Sequence, residues 1–129
     1  MSIDLKNKRF LVVEDQPQPM NLLTTLLKDL GALEIFSASD GEAALTFLRS
    51  NDNIVDVVIC DWNMPRGSGI EVLKFVRRAR PGVPFIMITA NVDMGSVKLA
   101  RENGVNAYIT KPFKLDEVEG TLADIVNQL

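Results

Sequence analysis

Histidine is absent from this sequence of 129 residues, and cysteine occurs only once, as Cys60. Without an imidazole there can be no Ser-His-Asp triad, no Cys-His pair and no zinc site with histidine ligands. A single cysteine likewise excludes an internal disulfide and a zinc cluster built from thiolates. Several common catalytic and structural sites are therefore ruled out before any motif is considered.

Long hydrophobic runs and an excess of positive charge are also missing. The longest apolar runs, such as 10–13 and 85–88, are far shorter than the roughly 20 residues of a membrane-spanning helix. Residues 1–9 alternate apolar and charged side chains and contain no signal-peptide core. The net charge of −3 argues against nucleic acid or an anionic membrane as the main partner, because both select basic surfaces. We expect a cytoplasmic protein that neither enters a membrane nor binds nucleic acid.

The remaining composition is that of a folded domain. Hydrophobic residues make up 47% of the chain and charged residues 24%, a balance that argues against disorder. The length fits one ordinary domain, and no linker or low-complexity tract divides the sequence. We expect a single domain over residues 1–129, with its core from about residue 8 onward and no output domain.

Short apolar runs alternate with segments of helical periodicity along the whole chain. The runs predict five strands, at residues 10–13, 34–38, 55–60, 85–88 and 107–110. Among the helices between them, the first has a leucine stripe from Leu22 to Leu30 that ends at Gly31. Ser68 is the predicted N-cap of the third helix, and the fourth is predicted over 94–103. The last helix carries a predicted buried stripe of Leu115, Val118, Leu122, Ile125 and Leu129.

Five strands that alternate with five helices predict a parallel sheet covered by helices on both faces. Strands one, three and four are the most apolar, so they belong in the middle, where both faces are covered. Strands two and five carry more polar or small residues and suit the edges. With right-handed crossovers, this pattern predicts the strand order 2-1-3-4-5 of the doubly wound, flavodoxin-like α/β fold.

Polar residues follow the strands at the rim where ligands bind in such a sheet. Glu14 and Asp15 follow strand one, Asp61 follows strand three, Thr89 follows strand four and Lys111 follows strand five. Clustered carboxylates raise one another's pKa, and a divalent cation relieves that repulsion; oxygen ligands suit Mg²⁺. The Lys111 ammonium and the Thr89 hydroxyl can bind phosphoryl oxygens. The rim therefore predicts metal-assisted phosphoryl chemistry with Asp61 as the nucleophile.

Four motifs at these strand ends carry a family resemblance that covers essentially the whole chain. The sequence resembles the receiver domains of bacterial two-component response regulators, and the stretch around Asp61 is similar to the single-domain chemotaxis regulators. The motifs are Val-Val-Glu-Asp at 12–15, Asp-Trp-Asn-Met-Pro at 61–65, Ile-Thr-Ala at 88–90 and Tyr-Ile-Thr-Lys-Pro-Phe at 108–113.

The resemblance implies a phosphoacceptor protein rather than an enzyme toward an external substrate. Asp61 would accept a phosphoryl group from a sensor histidine kinase or a phosphotransfer protein. It would do so with Mg²⁺ held by Glu14, Asp15, Asp61 and the backbone carbonyl of Asn63. The chain would catalyse only its own phosphorylation and dephosphorylation.

The resemblance also implies a conformational switch. Thr89 and Lys111 would bind the acyl phosphate, with Lys111-Pro112 as a cis peptide, and Tyr108 would change rotamer as Thr89 moves. The surface of helix four, strand five and helix five would then bind a downstream target protein. Asn63 and Asn91 occupy positions that the family uses to tune dephosphorylation.

Some residues depart from the commoner pattern of the family. Glu14 stands where many members have a second aspartate, Pro17 and Pro19 are predicted to stiffen the start of the first helix, and residues 66–69 lack the usual acidic residue. We expect Cys60 to be a small buried strand residue. Trp62 could be a contact for a partner or a half-exposed packing residue, and we favour packing.

Other function classes remain open at this stage. A receiver-fold adaptor or a phosphorelay intermediate could bind partners without stable phosphorylation. A flavin-binding module would need phosphate donors in the first loop, where this chain is acidic. A phosphatase with an aspartate nucleophile would need a substrate cap, for which the chain is too short.

Overall fold

The structure is a computed structural model that describes residues 3–50 and 54–128. Five strands alternate with five helices through these residues. The strands are β1 (Arg9–Val13), β2 (Glu34–Ala38), β3 (Val57–Cys60), β4 (Phe85–Thr89) and β5 (Ala107–Thr110). The helices are α1 (Pro17–Asp29), α2 (Gly41–Ser50), α3 (Gly69–Ala79), α4 (Met94–Glu102) and α5 (Leu115–Val126).

The strands form one parallel sheet in the order β2-β1-β3-β4-β5. Every residue of β3 and β4 is buried, as is every residue of β1 after Arg9, whereas both edge strands expose part of their length. The apolar strands lie in the centre because helices cover both of their faces. The predicted fold class and strand order are confirmed.

The sheet separates two apolar layers. Alternate residues of β1 show the division, because Phe10 and Val12 pack with α1 and α5, while Leu11 and Val13 pack with α2 and α3. Helix α4 is the least covered, since Ala100 is its only buried residue. None of the helices within the described ranges is long and apolar enough to cross a membrane.

Two strands begin at residues other than those predicted, for a physical reason. Strand β1 begins at Arg9, and β3 begins at Val57 rather than at residue 55. The Asp56 carboxylate accepts a 2.7 Å hydrogen bond from the Arg9 amide, and the Asp56 amide donates to the Arg9 carbonyl at 2.8 Å. A side chain thus takes part in the pairing at this end of the sheet, and regular ladder geometry starts one residue later.

The first helix starts earlier than the leucine stripe predicts. Pro17 is its first residue, so Pro17 and Pro19 both lie in its first turn. Proline is well tolerated there because the first amides of a helix have no partner within the helix. Gly31, with φ +89°, follows the end of the helix and allows the left-handed turn that was predicted.

The predicted buried stripe of α5 was wrong at Leu115, which is 41% exposed at the first residue of the helix. In the leucine stripe of α1, Leu22 is 42% exposed, although its neighbour Leu23 is buried. Helix α4 ends one residue earlier than predicted, at Glu102, and α5 ends at Val126. Leu129, the last predicted member of the α5 stripe, lies outside the described residues.

Two predictions about local geometry have different outcomes. Ser68 occupies the N-cap position of α3, but its side chain makes no capping hydrogen bond. The Lys111-Pro112 peptide is cis, as predicted.

The amino end of the sheet is closed by Arg77 from α3. Its guanidinium donates to the carbonyl of Val83 at 2.6 Å, to the carbonyl of Gly104 at 2.7 and 2.9 Å, and to Oδ1 of Asn106 at 2.6 Å. Asn106 Oδ1 also accepts the Phe85 amide at 2.8 Å. One side chain thereby joins the end of α3 to the start of β4 and to the segment before β5.

Candidate functional site

Three polar residues at the carboxyl rim are held by backbone bonds that extend the sheet ladders by one residue. The Glu14 amide donates to the Ala38 carbonyl at 3.0 Å, the Asp61 amide to Val13 at 2.9 Å, and the Lys111 amide to Thr89 at 2.9 Å. These side chains therefore start from rigid backbone positions at the ends of β1, β3 and β5. The structure thus places these three residues at one rim of the sheet.

Lys111 binds two carboxylates at once. Its Nζ lies 2.7 Å from Oε1 of Glu14 and 3.0 Å from Oδ2 of Asp61. The side chains of Glu14 and Asp61 are only 2% and 7% exposed, and that of Lys111 is 17% exposed. Charges removed from water to this extent need a partner of opposite sign, and each of the three has one.

The adjacent acids Glu14 and Asp15 lie in different surroundings. Glu14 is buried and accepts the Gln16 amide at 3.1 Å, whereas Asp15 is exposed. Burial raises the pKa of Glu14 above its usual range, and the charge of Asp61 adds to the effect, while the hydrogen bonds from Lys111 and the Gln16 amide oppose it. Ionised Glu14 is consequently a group that gains from additional positive charge.

Lys111 is held firmly in its charged form. Burial alone would lower its pKa, but hydrogen bonds and charges from Glu14 and Asp61 outweigh burial and raise the pKa above its ordinary value. The ammonium is therefore a fixed positive charge beside Asp61 at neutral pH.

The arrangement of the three carboxylates is compatible with a divalent cation site. Glu14, Asp15 and Asp61 each offer an oxygen, and these oxygens all lie within 4.8 Å of one another. Hard oxygen donors at the edge of a domain, with one exposed side where water can complete the shell, suit Mg²⁺. The cluster is compatible with a metal site, and its donor chemistry agrees with the cation predicted from the sequence.

Thr89 and Tyr108 are both bound to the loop that follows β4. The Thr89 hydroxyl is fully buried and accepts the Asn91 amide at 3.1 Å; among the residues described, it bonds neither Asp61 nor Lys111. The Tyr108 hydroxyl donates to the Asn91 carbonyl at 2.7 Å. Burial, with a smaller contribution from the charge of Asp93, raises the pKa of Tyr108. Asn91 thus joins the two residues predicted to form a switch.

A second link crosses the mouth of the site and has no sequence signal of its own. The Asn63 side-chain amide donates to Oδ1 of Asn91 at 2.9 Å, and the Asn63 backbone amide lies 3.4 Å from Oδ1 of Asp61. Both asparagines were singled out in the sequence, but their pairing depends on how two separate loops face each other. The loops after β3 and β4 are joined by this bond.

The two remaining residues near Asp61 have the predicted burial. Cys60 is fully buried, its Sγ lies 3.1 Å from the Asp61 carbonyl, and burial raises the pKa of its thiol. Trp62 is half-buried against the layer formed with α2 and α3.

Comparison with known proteins identifies the family. The model of the response regulator receiver domain matches residues 10–123, which include every rim residue described above. The chain belongs to the response regulator receiver family. This membership confirms the resemblance that the four strand-end motifs carry.

Curated relatives of this receiver domain include chemotaxis proteins. It is 36% identical over 126 residues to chemotaxis protein CheY-3 of Vibrio cholerae, covering 96% of this chain and 95% of the relative. It is 36% identical over 107 residues to chemotaxis protein CheY of Pseudomonas aeruginosa, covering 81% of this chain and 85% of the relative. Sequence similarity thus extends over nearly the full length of proteins of this size.

Solved structures give the same assignment for the receiver fold. A response regulator receiver domain protein from Clostridium thermocellum superposes with a TM-score of 0.84 at 27% identity, over 94% of this chain and 95% of that one. Chemotaxis protein CheY4 of Vibrio cholerae superposes with a TM-score of 0.81 at 28% identity, over 92% of this chain and 98% of that one. The arrangement of strands and helices is therefore that of receiver domains.

Proposed function

We propose that this receiver domain accepts a phosphoryl group on Asp61 from a histidine kinase or a phosphotransfer protein. The observation that carries the proposal is the position of Lys111, bound to Asp61 at 3.0 Å and Glu14 at 2.7 Å inside a group of three carboxylates. Such an arrangement provides a nucleophile, a fixed positive charge and a place for a cation within a few ångströms.

The proposed transfer exchanges one bond to phosphorus for another. A carboxylate oxygen of Asp61 attacks the phosphorus of a phosphohistidine, and the P–N bond breaks as the new P–O bond forms. The leaving imidazole takes the electron pair of the broken bond. Lys111 balances the negative charge of the phosphoryl oxygens, and the buried surroundings of Asp61 strengthen that attraction.

The proposed cation is Mg²⁺, held by the carboxylates of Glu14, Asp15 and Asp61 and by the backbone carbonyl of Asn63. When bound, it supplies Lewis-acid stabilisation of the phosphoryl oxygens. The raised pKa of Glu14 supports this part of the proposal, because a buried carboxyl of that kind is stabilised in its ionised form by a nearby cation.

Phosphorylation is proposed to act through the loop after β4. A phosphoryl oxygen on Asp61 would offer Thr89 a new hydrogen-bond partner, in competition with the Asn91 amide that the hydroxyl now accepts. Tyr108 holds the carbonyl of the same residue, so its rotamer would respond to the change. Asn63 and Asn91, paired across the mouth, would control how readily water reaches the acyl phosphate.

The proposed output is a protein contact at the surface of α4, β5 and α5. Near α4, three large apolar side chains are exposed: Val92 at 66%, Met94 at 87% and Leu99 at 39%. Apolar exposure of this kind favours a protein partner. We infer that the protein is a cytoplasmic regulator that catalyses only its own phosphorylation and dephosphorylation, with chemotaxis as the first pathway to test.

Incubation with acetyl phosphate and MgCl₂, followed by intact-mass measurement, tests the proposal. Wild-type protein is expected to gain one phosphoryl group, and Asp61→Asn none. Asp56→Asn is the matched control, because Asp56 precedes β3 just as Asp61 follows it, and this variant should be phosphorylated like the wild type.

Two results would contradict the phosphoacceptor function. Wild-type protein that gains no mass while Trp62 fluorescence stays constant on addition of beryllofluoride would favour the adaptor alternative. Undiminished phosphorylation of Asp61→Asn would place the acceptor elsewhere.

A further inference from the structure

The loop from Trp62 to Ser68 is fixed at its far side by the first turn of α2, an element that contributes no side chain to the site. The Glu42 amide, one of the amides at the start of α2 that lacks a helical partner, donates to the Arg66 carbonyl at 2.8 Å. Gly67, the next residue, turns with φ +82°. The loop therefore caps α2, and α2 in turn holds the loop.

This contact requires glycine in the helix as well as in the loop. A Cβ placed on Gly41 would lie 2.3 Å from the Gly67 carbonyl oxygen and 2.6 Å from its carbon. Both atoms are backbone, so no side-chain rotation can relieve the clash. A Cβ on Gly67 would in turn lie 3.1 Å from the Glu42 amide nitrogen.

The end of the loop, at Gly69, packs equally closely against the backbone of Asp61. The Gly69 amide donates to the Trp62 carbonyl at 2.8 Å, and a Cβ on Gly69 would lie 2.2 Å from the Asp61 carbonyl oxygen. Asn63 lies between these two fixed points, with its amide 3.4 Å from Oδ1 of Asp61. Gly67 and the backbone beside Asp61 thus belong to one short loop that is fixed at both of these points.

We propose that Gly41 is a positioning residue for the cation site: by lacking a side chain, it lets α2 hold the 62–68 loop, and hence the Asn63 backbone, in place beside Asp61. The inference rests on the proposed function, because it assigns the loop a part in holding Mg²⁺. It adds a residue that carries no ligand atom and lies on a different helix.

The first test compares Mg²⁺ binding by wild-type protein and Gly41→Ala, followed by Trp62 fluorescence. Loss of outer contacts to a metal site commonly weakens affinity about tenfold or more, and a loss of that size is expected here. Gly120→Ala is the matched control, because a Cβ on this helical glycine meets nothing within 4 Å. Leu27→Ala, in the layer formed with α1 and α5, is the control for lowered stability alone. Both controls should keep wild-type affinity.

The second test needs no variant. Because coupling is reciprocal, an element that supports metal binding must itself be stabilised by the metal. Saturating MgCl₂ should slow hydrogen exchange of the Glu42 amide in wild-type protein. The Val97 amide, which donates to Asp93 at the start of α4, should change much less. This measurement decides the matter even where Gly41→Ala does not fold.

The outcomes separate the two proposals. A folded Gly41→Ala with wild-type Mg²⁺ affinity, or a Glu42 amide indifferent to MgCl₂ in protein that does bind it, would overturn the positioning role. Wild-type protein that binds no Mg²⁺ would instead contradict the metal part of the proposed function. In that case the amide NMR resonances of residues 61–63, recorded without metal, decide the positioning role. Identical chemical shifts in the wild type and Gly41→Ala would refute it.

Discussion

Two cationic side chains lie at opposite ends of the same sheet, and their partners differ in kind. Lys111 at the carboxyl rim is bound by the carboxylates of Glu14 and Asp61, with Asp15 nearby. Arg77 at the amino rim is bound by backbone carbonyls and the side-chain oxygen of Asn106, all neutral. Both cations have close hydrogen-bond partners, but only Lys111 belongs to a group of residues with a net negative charge.

The difference lies in the net charge that each group of partners leaves around its cation. Neutral oxygens can satisfy every donor of a guanidinium without attracting a further ion, and burial merely lowers the pKa of Arg77. Three carboxylates around one ammonium retain net negative charge, so a second cation is favoured there. Lys111 therefore belongs to a cluster that is compatible with a further cation, whereas Arg77 makes a purely structural connection between elements.

The sharpest way to break this comparison is to remove each cation in turn, and Lys111→Met should have the larger functional effect. We expect phosphorylation by acetyl phosphate to slow about 10²- to 10³-fold, because one preorganised positive partner of the phosphoryl oxygens is lost. The rate of mass gain under saturating MgCl₂ measures this. A rate within about threefold of the wild type, on the same scale, would show that Lys111 has no part in transfer.

Arg77→Met should lower stability and leave the phosphorylation rate nearly unchanged, the opposite of Lys111→Met. Its loss leaves the Val83 and Gly104 carbonyls without this donor, and we expect the free energy of unfolding to fall by about 2 kcal/mol. Urea denaturation followed by circular dichroism gives the change, and the phosphorylation rate of the folded variant should stay near that of the wild type. Arg78→Met, an exposed neighbour on the same helix, is the control and should be close to neutral.

Glu14→Gln tests the charge at the carboxyl rim through the pH dependence of stability. The raised pKa means that the folded state holds the Glu14 proton more tightly than the unfolded chain does. Ionisation of Glu14 therefore lowers stability as pH rises above the ordinary value of 4.5. As the pH of a metal-free buffer rises from 4.5 to 7, the free energy of unfolding of the variant should increase relative to that of the wild type. Below pH 4.5 the difference between the two proteins should stay constant. Urea titrations across the range measure it, and parallel curves would contradict the assignment.

Tyr108→Phe should have the smallest effect on stability. It removes the 2.7 Å hydrogen bond to the Asn91 carbonyl at a partly exposed position, at a cost of about 1 kcal/mol or less. Thermal unfolding measures this change. Hydrogen exchange of the Asn91 amide should nevertheless accelerate, and unchanged exchange would show that Tyr108 does not hold the loop.

Sequence patterns were sufficient for the sheet because each strand's burial follows from its own composition. The rim residues could also be predicted, since carboxyl strand ends in a parallel sheet meet at one edge. Glu14 and Asp15 could not be distinguished, because which of two adjacent acids turns inward depends on the lysine that arrives from β5. The Asn63–Asn91 bond and the Gly41–Gly67 contact could not be predicted for the same reason. Each joins two loops or elements, and no local sequence pattern encodes the distance between them.

The buried thiol of Cys60, the residue before Asp61, can report transient opening of the central sheet. Cys60 is the only cysteine, is fully buried and has a raised pKa, so alkylating reagents should modify it only in molecules whose central sheet has transiently opened. The rate of labelling then measures the population of such molecules without any engineered probe. Because Cys60 directly precedes the proposed acceptor Asp61, a ligand that closes the rim should protect this thiol, and a single mass measurement would report occupancy and opening together.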